Sequence, residues 1–286
     1  MVTDMIQHPS RTSEFCAVMR AIHQAVDVEP KILADSIAPR LIDSIADDDG
    51  WLASILRHPD AKQKRAGFLV RNRYAEDCLA EGIERGLRQY GILGAGFDTF
   101  AFRQPAWANS LCIYEIDHPE TQRWKRDRLA GASIAIPPNL TFVPIDFERG
   151  SLAEALRAAN FDLGRRSFCS WLGVTQYLAP AAISETLGFV LSLPRESEIV
   201  FSFILPSEAL TASEADIVRR AADQSAAVGE PWLSTFRPFD LVAQLRAMGF
   251  SEVIHLTPEQ AHERYLMGRR DGLQIRHGEQ LIRAVV

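Results

Sequence analysis

The chain has 286 residues, of which 47% are hydrophobic, 24% charged and 9% aromatic, and its formal net charge is −6. This apolar fraction is that of an ordinary globular protein, so fibrous, low-complexity and disordered classes are excluded. The acidic balance offers no basic surface to a phosphate backbone, and we therefore expect no nucleic-acid partner. A chain of this length forms one large domain or two small ones.

No apolar stretch of about 18 residues occurs, and the opening run MVTDMIQHPSRTSEF lacks the basic and apolar regions of a secretory signal. We therefore expect a cytoplasmic location and no membrane partner. The four cysteines form no CxxC pair and no Cys/His cluster, so the sequence predicts neither a metal site nor a disulfide framework. It does not indicate an oligomeric state.

Residues 1–60 contain short helical patterns interrupted by turn formers, and the acidic run DDDG follows them. They predict a helical cap or lid. Residues 61–286 predict the main domain, which begins with a longer helix, and the polar stretch over 206–235 predicts a helical insertion. No linker rich in Ser, Gly or Pro separates the two parts, which indicates a single structural unit.

After Arg88 the chain alternates short apolar runs with amphipathic segments. This rhythm is typical of an α/β fold in which helices cover both faces of a parallel sheet. About seven strands are predicted, in the runs RQYGIL, LCIYEI, LTFVPI, SFCSWLGV, EIVFSFIL, SEVIHL and LIRAVV.

The most informative motif is QYGILGAGFDTFAFR, at 89–103. The first strand is predicted to end at Leu93, and Gly94-Ala95-Gly96 then turns toward a helix whose backbone amides face a ligand. Glycine permits a positive φ in the turn and has no Cβ to obstruct the ligand. Asp117 ends the second strand 21 residues after Gly96, where an acidic side chain binds the two ribose hydroxyls. The pattern predicts a nucleoside-containing ligand.

The third position of the motif decides between ligand classes. A dinucleotide fingerprint, G-x-G-x-x-G, has its last glycine where this chain has Thr99. NAD and FAD are therefore disfavoured, whereas S-adenosylmethionine has no phosphates and needs only the open GxG turn. Two alternatives remain from the residues alone: an NAD-dependent oxidoreductase on a similar sheet, and a catalytically silent nucleoside-binding protein.

Four segments identify a family when they are taken together: RNRYAED at 71–77, LGAGFDT at 93–99, YEIDHP at 114–119 and WLGVTQYL at 171–178. As a set they resemble the leucine carboxyl methyltransferase family, a branch of the class I S-adenosylmethionine-dependent methyltransferases, and its bacterial members most closely. The resemblance covers nearly the whole chain. It implies a Rossmann-like, seven-stranded, mostly parallel sheet with an antiparallel last strand, together with an N-terminal helical layer.

The resemblance also implies the cofactor, S-adenosyl-L-methionine, and the residues that bind it. An arginine would pair with the methionine carboxylate, the glycine turn would pass under the methionyl and ribose portions, and two acidic residues would serve the ribose hydroxyls. A third acidic residue would face the adenine amino group, and a phenylalanine would line the base. In that order the implied set is Arg71, Gly94, Ala95, Gly96, Asp117 with Glu115 in support, Asp146 and Phe147.

Several of these residues also have purely structural alternatives. Arg71 lies among other basic residues and would suit a solvated helix face. Asp117 would help to cap the helix that Pro119 opens, and His118 occupies the expected N-cap position. The chain departs from the family at Leu172, where many members have a glutamate. The contact of that glutamate with the cofactor's amino group must therefore come from the backbone or from elsewhere in the chain.

The sequence predicts an O-methyltransferase that acts on a small molecule. A carboxylate acceptor is favoured because it is already ionised at pH 7, and the histidines are scattered without an evident base pair. A phenol or other hydroxyl, which would need a general base, is the alternative. The candidate catalytic residues are Tyr177, Tyr74 and His118. An apolar acceptor pocket is predicted to include Phe15, Met19, Ile22, Trp51, Trp232 and Phe236.

Overall fold

A seven-stranded sheet forms the centre of the molecule, in the order β3-β2-β1-β4-β5-β7-β6. The computed structural model describes residues 11–42 and 61–286. All seven predicted strands are confirmed. They are β1 (Gln89–Leu93), β2 (Cys112–Asp117), β3 (Leu140–Pro144), β4 (Ser167–Trp171), β5 (Glu198–Ile204), β6 (Glu252–Leu256) and β7 (Glu279–Val285).

The direction of the strands brings several strand ends to one edge of the sheet. Strands β1 to β5 pair in parallel, and β7 is antiparallel to both β5 and β6. The mostly parallel sheet with an antiparallel last strand is therefore confirmed. At the edge where β5 ends, β7 begins, with Glu279 opposite Ile204.

Helices cover both faces of the sheet. One hydrophobic core lies between the sheet and helices α3 and α9, and a second lies between the sheet and α5, α6 and α8. The helices are α1 (Arg11–Val26), α2 (Ala38–Ile42), α3 (Ala61–Glu84), α4 (Pro119–Gly131), α5 (Leu152–Ala158), α6 (Pro180–Leu191), α7 (Ala212–Ala227), α8 (Pro238–Met248) and α9 (Pro258–Tyr265). None of the helices in the described ranges is both long and apolar enough to span a membrane.

The N-terminal layer consists, as far as it is described, of α1 and α2, which pack on each other, while α1 also packs on α3. Residues 1–10 and 43–60, including Trp51, lie outside the described part of the chain. Helix α7 lies within the insertion expected over 206–235.

The segment after the glycine turn differs from the sequence prediction. A helix was expected to follow Gly96, but the structure has only a 3-10 turn over Phe100–Phe102. The Asp98 carboxylate accepts a hydrogen bond from the amide of Phe100, and the Thr99 hydroxyl donates one to Asp35 at 2.6 Å. Side chains that bond to a nearby amide or to another segment compete with a continuing helix.

Candidate active site

A cavity of about 850 Å³ opens at the edge of the sheet where the parallel strands end. Its wall includes residues from the N-terminal layer, from the loops after β1 to β4, from α7 and from the start of β7. Most of the predicted site residues meet there, namely Arg71, Gly94, Ala95, Gly96, Asp117, His118, Asp146, Phe147 and Tyr177. Tyr74 and Glu115 are not part of this wall.

The glycine turn has the backbone conformation that the sequence predicts, with φ of +65° at Gly94 and +47° at Gly96. Its neighbours add a second reason for glycine. A Cβ on Gly94 would lie 2.4 Å from Val174, and one on Gly96 would lie 2.3 Å from the Ser13 hydroxyl. A side chain at either position would therefore be strained and would displace the adjoining wall.

The amides of the turn are bonded within the protein rather than left bare for a ligand. Those of Gly94 and Ala95 donate to the carbonyl of Ile116. The amide of Gly96 donates to the Asp117 carboxylate at 2.5 Å, and that of Phe97 donates to the Ser13 hydroxyl at 2.9 Å. The turn is thus held rigidly, and Asp117 lies directly beside it.

Asp117 ends β2 with its carboxylate in the cavity wall. It accepts hydrogen bonds from the amides of Gly96 and His118. Burial raises the pKa of Asp117 above its ordinary value, although both of these hydrogen bonds oppose that shift. An ionised carboxylate can accept about four hydrogen bonds, so Asp117 can accept more than these two.

Asp146 and Phe147 lie in the loop after β3 and belong to the same cavity wall. Both side chains are half-buried. The Asp146 carboxylate accepts a hydrogen bond from the amide of Glu148 at 3.0 Å. This bond fixes the loop while leaving the Phe147 ring against the second core.

Arg71 is a buried cation on α3 rather than part of a solvated helix face. Its Nη1 donates to Glu279 Oε1 at 2.7 Å, its Nη2 donates to the Cys16 thiol at 3.3 Å, and its guanidinium lies 4.6 Å from the centre of the Phe68 ring. Burial opposes its charge, but the Glu279 carboxylate raises the pKa of Arg71 above its ordinary value. Nε has no hydrogen-bond partner among the described residues.

The Arg71 guanidinium also explains a glycine that sequence analysis did not single out. Gly173, in the loop after β4, has φ of +71°, and a Cβ there would lie 2.7 Å from both Nη1 and Nη2 of Arg71. The guanidinium therefore lies directly over the end of β4. Leu172, the residue that departs from the family pattern, precedes this glycine and lines the same cavity.

Buried contacts join the N-terminal layer to the glycine turn. Arg20 of α1 donates from Nη2 to the carbonyl of Phe97 at 2.5 Å and from Nε to Asp35 at 3.1 Å. Ser13 accepts from the amide of Phe97. Sequence analysis missed these three roles for Ser13, Arg20 and Asp35. The sequence feature that could have indicated these contacts is Arg20, a charged residue within the apolar run of α1.

Tyr177 and His118 both face the cavity, in different surroundings. The Tyr177 hydroxyl contacts the side chains of Thr12, Ser225 and Trp232, and burial raises its pKa, so it stays protonated at neutral pH. His118 is the N-cap of α4, and its Nδ1 accepts a hydrogen bond from the amide of Glu120. The expected capping role of His118 is therefore present in the structure.

Tyr74 and Glu115 occupy the protein interior. Tyr74 is 3% exposed, and its hydroxyl meets the Cys78 thiol beneath α3. Glu115 is paired with Lys125 at 2.6 Å, and burial raises its pKa to about 7 despite that cation. Neither side chain reaches the cavity wall. The structure therefore does not support a catalytic role for Tyr74 or a direct ligand contact for Glu115.

The wall of the cavity near α7 combines apolar residues with polar ones, the latter including Glu214, Gln224 and Ser225. Of the predicted acceptor-pocket residues, Phe15 and Trp232 lie on its wall, whereas Met19, Ile22 and Phe236 pack into hydrophobic clusters. Helix α7 adds Ile217, Val218 and Ala221, which the sequence analysis had not specified. In residues 11–42 and 61–286 no group of three or more potential ligands is arranged to hold a metal ion.

The parallel sheet with one antiparallel strand, and a cavity at its carboxyl edge, define the class I methyltransferase fold. Among solved structures, a DUF574 family protein from Streptomyces avermitilis aligns with a TM-score of 0.57, at 18% identity, over 87% of this chain and 96% of that one. A "putative methyltransferase" from Thermobifida fusca YX aligns with a TM-score of 0.55, at 15% identity, over 94% and 93% of the two chains. These likenesses concern the fold alone.

Sequence comparison gives the family. The family model "Leucine carboxyl methyltransferase" matches residues 13–191, and the chain belongs to this family. A Bacillus subtilis protein named "Putative S-adenosyl-L-methionine-dependent methyltransferase YktD" is 33% identical over 78% of this chain and 71% of its own length. A Mycolicibacterium gilvum protein of the same description is 32% identical over 63% of this chain and 60% of its own length. The chain is accordingly an S-adenosylmethionine-dependent methyltransferase, and the NAD-dependent alternative is not supported.

Proposed function

We propose that this protein transfers the methyl group of S-adenosylmethionine to a carboxylate oxygen of a small, largely apolar acid. The observation that carries the proposal is the division of one cavity into two chemically different parts. Arg71 and Asp117 lie on the wall around the glycine turn, whereas Ile217, Val218 and Ala221 of α7, together with Phe15 and Trp232, add apolar surface to the same cavity. A polar cofactor and an apolar acceptor can therefore occupy the same cavity side by side.

The groups around the glycine turn fit the cofactor. Its methionine carboxylate requires a cation, and Arg71 has a buried Nε without a partner next to an Nη2 that meets only a thiol. Such an edge of a guanidinium suits both oxygens of a carboxylate. Its ribose requires an acceptor, which Asp117 supplies beside the turn. Its adenine requires a slot with an acceptor, for which Phe147 and Asp146 are suited.

The protein's task in this reaction is to align and shield the reactants. S-adenosylmethionine, when bound, supplies a sulfonium methyl group that a carboxylate oxygen attacks in line, so that a methyl ester and S-adenosylhomocysteine form. Arg71 would hold the methionine carboxylate of the cofactor, and Asp117 would hold its ribose. Helix α7 and Trp232 would exclude water from the acceptor side.

The surroundings of His118 and Tyr177, the two candidate catalytic residues on the cavity wall, support a carboxylate acceptor, because neither is arranged to remove a proton. Within the described part of the cavity wall, His118 is the single histidine, and its Nδ1 is engaged as a helix cap. Tyr177 has a raised pKa and so donates rather than removes a proton at neutral pH. A carboxylate, with a pKa of about 4, needs no base. A phenol, with a pKa of about 10, would need one.

Two experiments test the proposal in sequence. Calorimetry with S-adenosylmethionine and S-adenosylhomocysteine is expected to give binding that Arg71→Ala and Asp117→Ala both weaken strongly. Incubation with a methyl-labelled donor and a panel of apolar carboxylic acids and matched phenols is then expected to yield a base-labile methyl ester. Label recovered only in base-stable ethers would contradict the carboxylate assignment while leaving methyl transfer intact.

A further inference from the structure

The Arg71–Glu279 pair is an ion pair whose two members come from distant parts of the chain. The Arg71 side chain is 9% exposed and the Glu279 side chain 22% exposed. They join α3 to the first residue of β7, across 208 positions of sequence. Removing two charges from water is costly unless their remaining hydrogen-bonding sites are also satisfied. The unsatisfied sites of this pair therefore need an explanation.

Each member of the pair has a hydrogen-bonding atom without a partner in the described structure. Arg71 uses Nη1 for Glu279, while Nε has no partner in the described structure. Glu279 uses Oε1 for Arg71, and no described residue donates a hydrogen bond to its Oε2. A cation with an unpartnered donor beside an anion with an unpartnered oxygen is complementary to a zwitterion whose two charges lie close together.

The cofactor carries such a zwitterion, because its carboxylate and its ammonium are attached to the same carbon. If the cofactor's carboxylate binds the Arg71 guanidinium, the ammonium therefore lies close to the groups that adjoin that guanidinium. Leu172, at the position where the family often has glutamate, provides no acceptor. Glu279 is the carboxylate that adjoins the guanidinium on the same cavity wall.

We infer that Glu279 binds the ammonium group of the cofactor, in place of the carboxylate that Leu172 does not supply. The inference rests on the proposed role of Arg71 and extends it: the pair forms a clamp, made of Arg71 and Glu279, that recognises an α-amino acid moiety. Gln176 lines the same wall, and its Oε1 is buried without a partner among the described residues, which makes it the candidate for a second acceptor of the same group.

The test compares ligands that differ by single groups. S-adenosylhomocysteine has both charges of the amino acid, its desamino analogue keeps only the carboxylate, and 5′-methylthioadenosine has neither. Glu279→Gln is expected to weaken S-adenosylhomocysteine by about tenfold to a hundredfold, the range for a hydrogen bond between charged groups. The other two ligands should change by less than about twofold. Calorimetry measures all three without requiring methyl transfer.

Glu148→Gln is the matched control. Glu148 is exposed on the same cavity wall, near Asp146, and carries the same charge. Its substitution removes one negative charge from the cavity without touching the clamp, so it measures the general electrostatic effect on a zwitterionic ligand. An equal loss of S-adenosylhomocysteine affinity in Glu148→Gln and Glu279→Gln would overturn the inference.

A rescue variant separates binding from positioning. Leu172→Glu, introduced into the Glu279→Gln background, returns a carboxylate to the end of β4 and is expected to recover most of the lost affinity for S-adenosylhomocysteine. Thermal melting of each variant checks that it is folded. Glu279→Asp keeps the negative charge but has a side chain one methylene shorter, so it should give an intermediate loss of S-adenosylhomocysteine affinity.

Three results would count against the inference in distinguishable ways. If Glu279→Gln weakened the desamino analogue as much as S-adenosylhomocysteine, Glu279 would only position Arg71. If Glu279→Gln bound S-adenosylhomocysteine like the wild type, the clamp would be wrong while the proposed function stood. If the wild-type protein bound no S-adenosyl ligand, both proposals would fail together.

Discussion

The two parts of the cavity are built in different ways. Around the glycine turn, buried side chains and main-chain amides bond to one another, as in the contacts of Asp117 with Gly96 and of Arg20 with Phe97. Helix α7, which covers the other part, has Ser225 as its one buried residue and is otherwise half-buried or exposed. One part is fixed by a network, and the other rests on the surface of the domain.

Under the proposed function, this difference would separate the binding of the cofactor from the binding of the acceptor. A network of hydrogen bonds among buried groups holds a fixed geometry, as binding an invariant cofactor requires. An element with few buried contacts opens at low cost in free energy, which suits entry and exchange of an acceptor. Substitutions around the turn should therefore affect the cofactor and the fold, whereas substitutions beneath α7 should affect the acceptor alone.

The largest effect is expected from Asp117→Ala. It removes the proposed acceptor of the ribose hydroxyls together with the contact to Gly96, and two charge-assisted hydrogen bonds correspond to about 3 kcal/mol or more. S-adenosylhomocysteine affinity measured by calorimetry should fall about a hundredfold. Asp117→Asn, which keeps the size and loses the charge, should retain part of the affinity. Unchanged binding in both variants would contradict the ribose assignment.

Gly94→Ala should reduce stability as well as cofactor binding. The residue has a positive φ, and its new Cβ would meet Val174 at 2.4 Å, so we expect a loss of about 1–3 kcal/mol in unfolding free energy. Gly188→Ala is the control, because that glycine is exposed in α6 with no atom within 4 Å of a new Cβ. Chemical denaturation should show the control unchanged or stabilised by up to about 1 kcal/mol.

Trp232→Ala tests the part of the cavity that is proposed to bind the acceptor. Loss of this ring from the apolar wall should raise KM for an apolar acid by about tenfold, while S-adenosylhomocysteine affinity stays within about twofold of the wild type. Leu233→Ala changes the next residue, which is 53% exposed and not on the wall, and should leave both unchanged. Weakened cofactor binding in Trp232→Ala alone would show that the two parts are not independent.

The smallest expected effect is a pH dependence of the contact that attaches the start of α7 to the rest of the protein. His277 contacts Glu214 at the start of α7 and Glu259 of α9, the latter at 3.3 Å. Hydrogen bonding to Glu214 raises the pKa of His277, and contacts with His277 help to lower the pKa of both carboxyls. The contact is therefore strongest at a pH above the lowered pKa values of the two carboxyls and below the raised pKa of His277. It is lost as pH rises through the pKa of the imidazole or falls through the pKa values of the carboxyls.

Calorimetric melting measures this effect against His277→Gln. The wild type should melt above the variant at about pH 6, and the difference should shrink at about pH 9, where an imidazole is neutral. Because His277 is half exposed, salt should weaken the difference at the lower pH. A difference between the two proteins that does not vary with pH would exclude this contact as its cause.

The parts of the molecule that could be predicted are those set by local sequence. Strand periodicity located the sheet, the positive φ at Gly94 and Gly96 followed from the need for glycine in a tight turn, and the position of Asp117 at the end of β2 followed from its spacing to Gly96. The helix expected after Gly96 is absent, because Asp98 and Thr99 use their side chains in other bonds.

What could not be predicted depends on contacts between distant segments. Glu279 meets Arg71 only because β7 enters the sheet beside β5, and no local pattern marks that residue. Tyr74 follows Arg71 by three positions on α3, yet it turns into the core beside Cys78 rather than toward the cavity. Helical spacing limits such choices but does not decide which neighbour a side chain meets.

The position of β7 within the sheet also affects how the chain matures. It lies between β5 and β6, and β6 pairs with no other strand, so a nascent chain synthesised as far as Leu256 has no sheet neighbour for that segment. Glu279 leaves the ribosome 208 positions after Arg71. A ligand that contacts both residues therefore binds only after β7 is in place, and by mass action it stabilises that completed state. Cofactor supply would thereby favour the fully assembled sheet over its late folding intermediates.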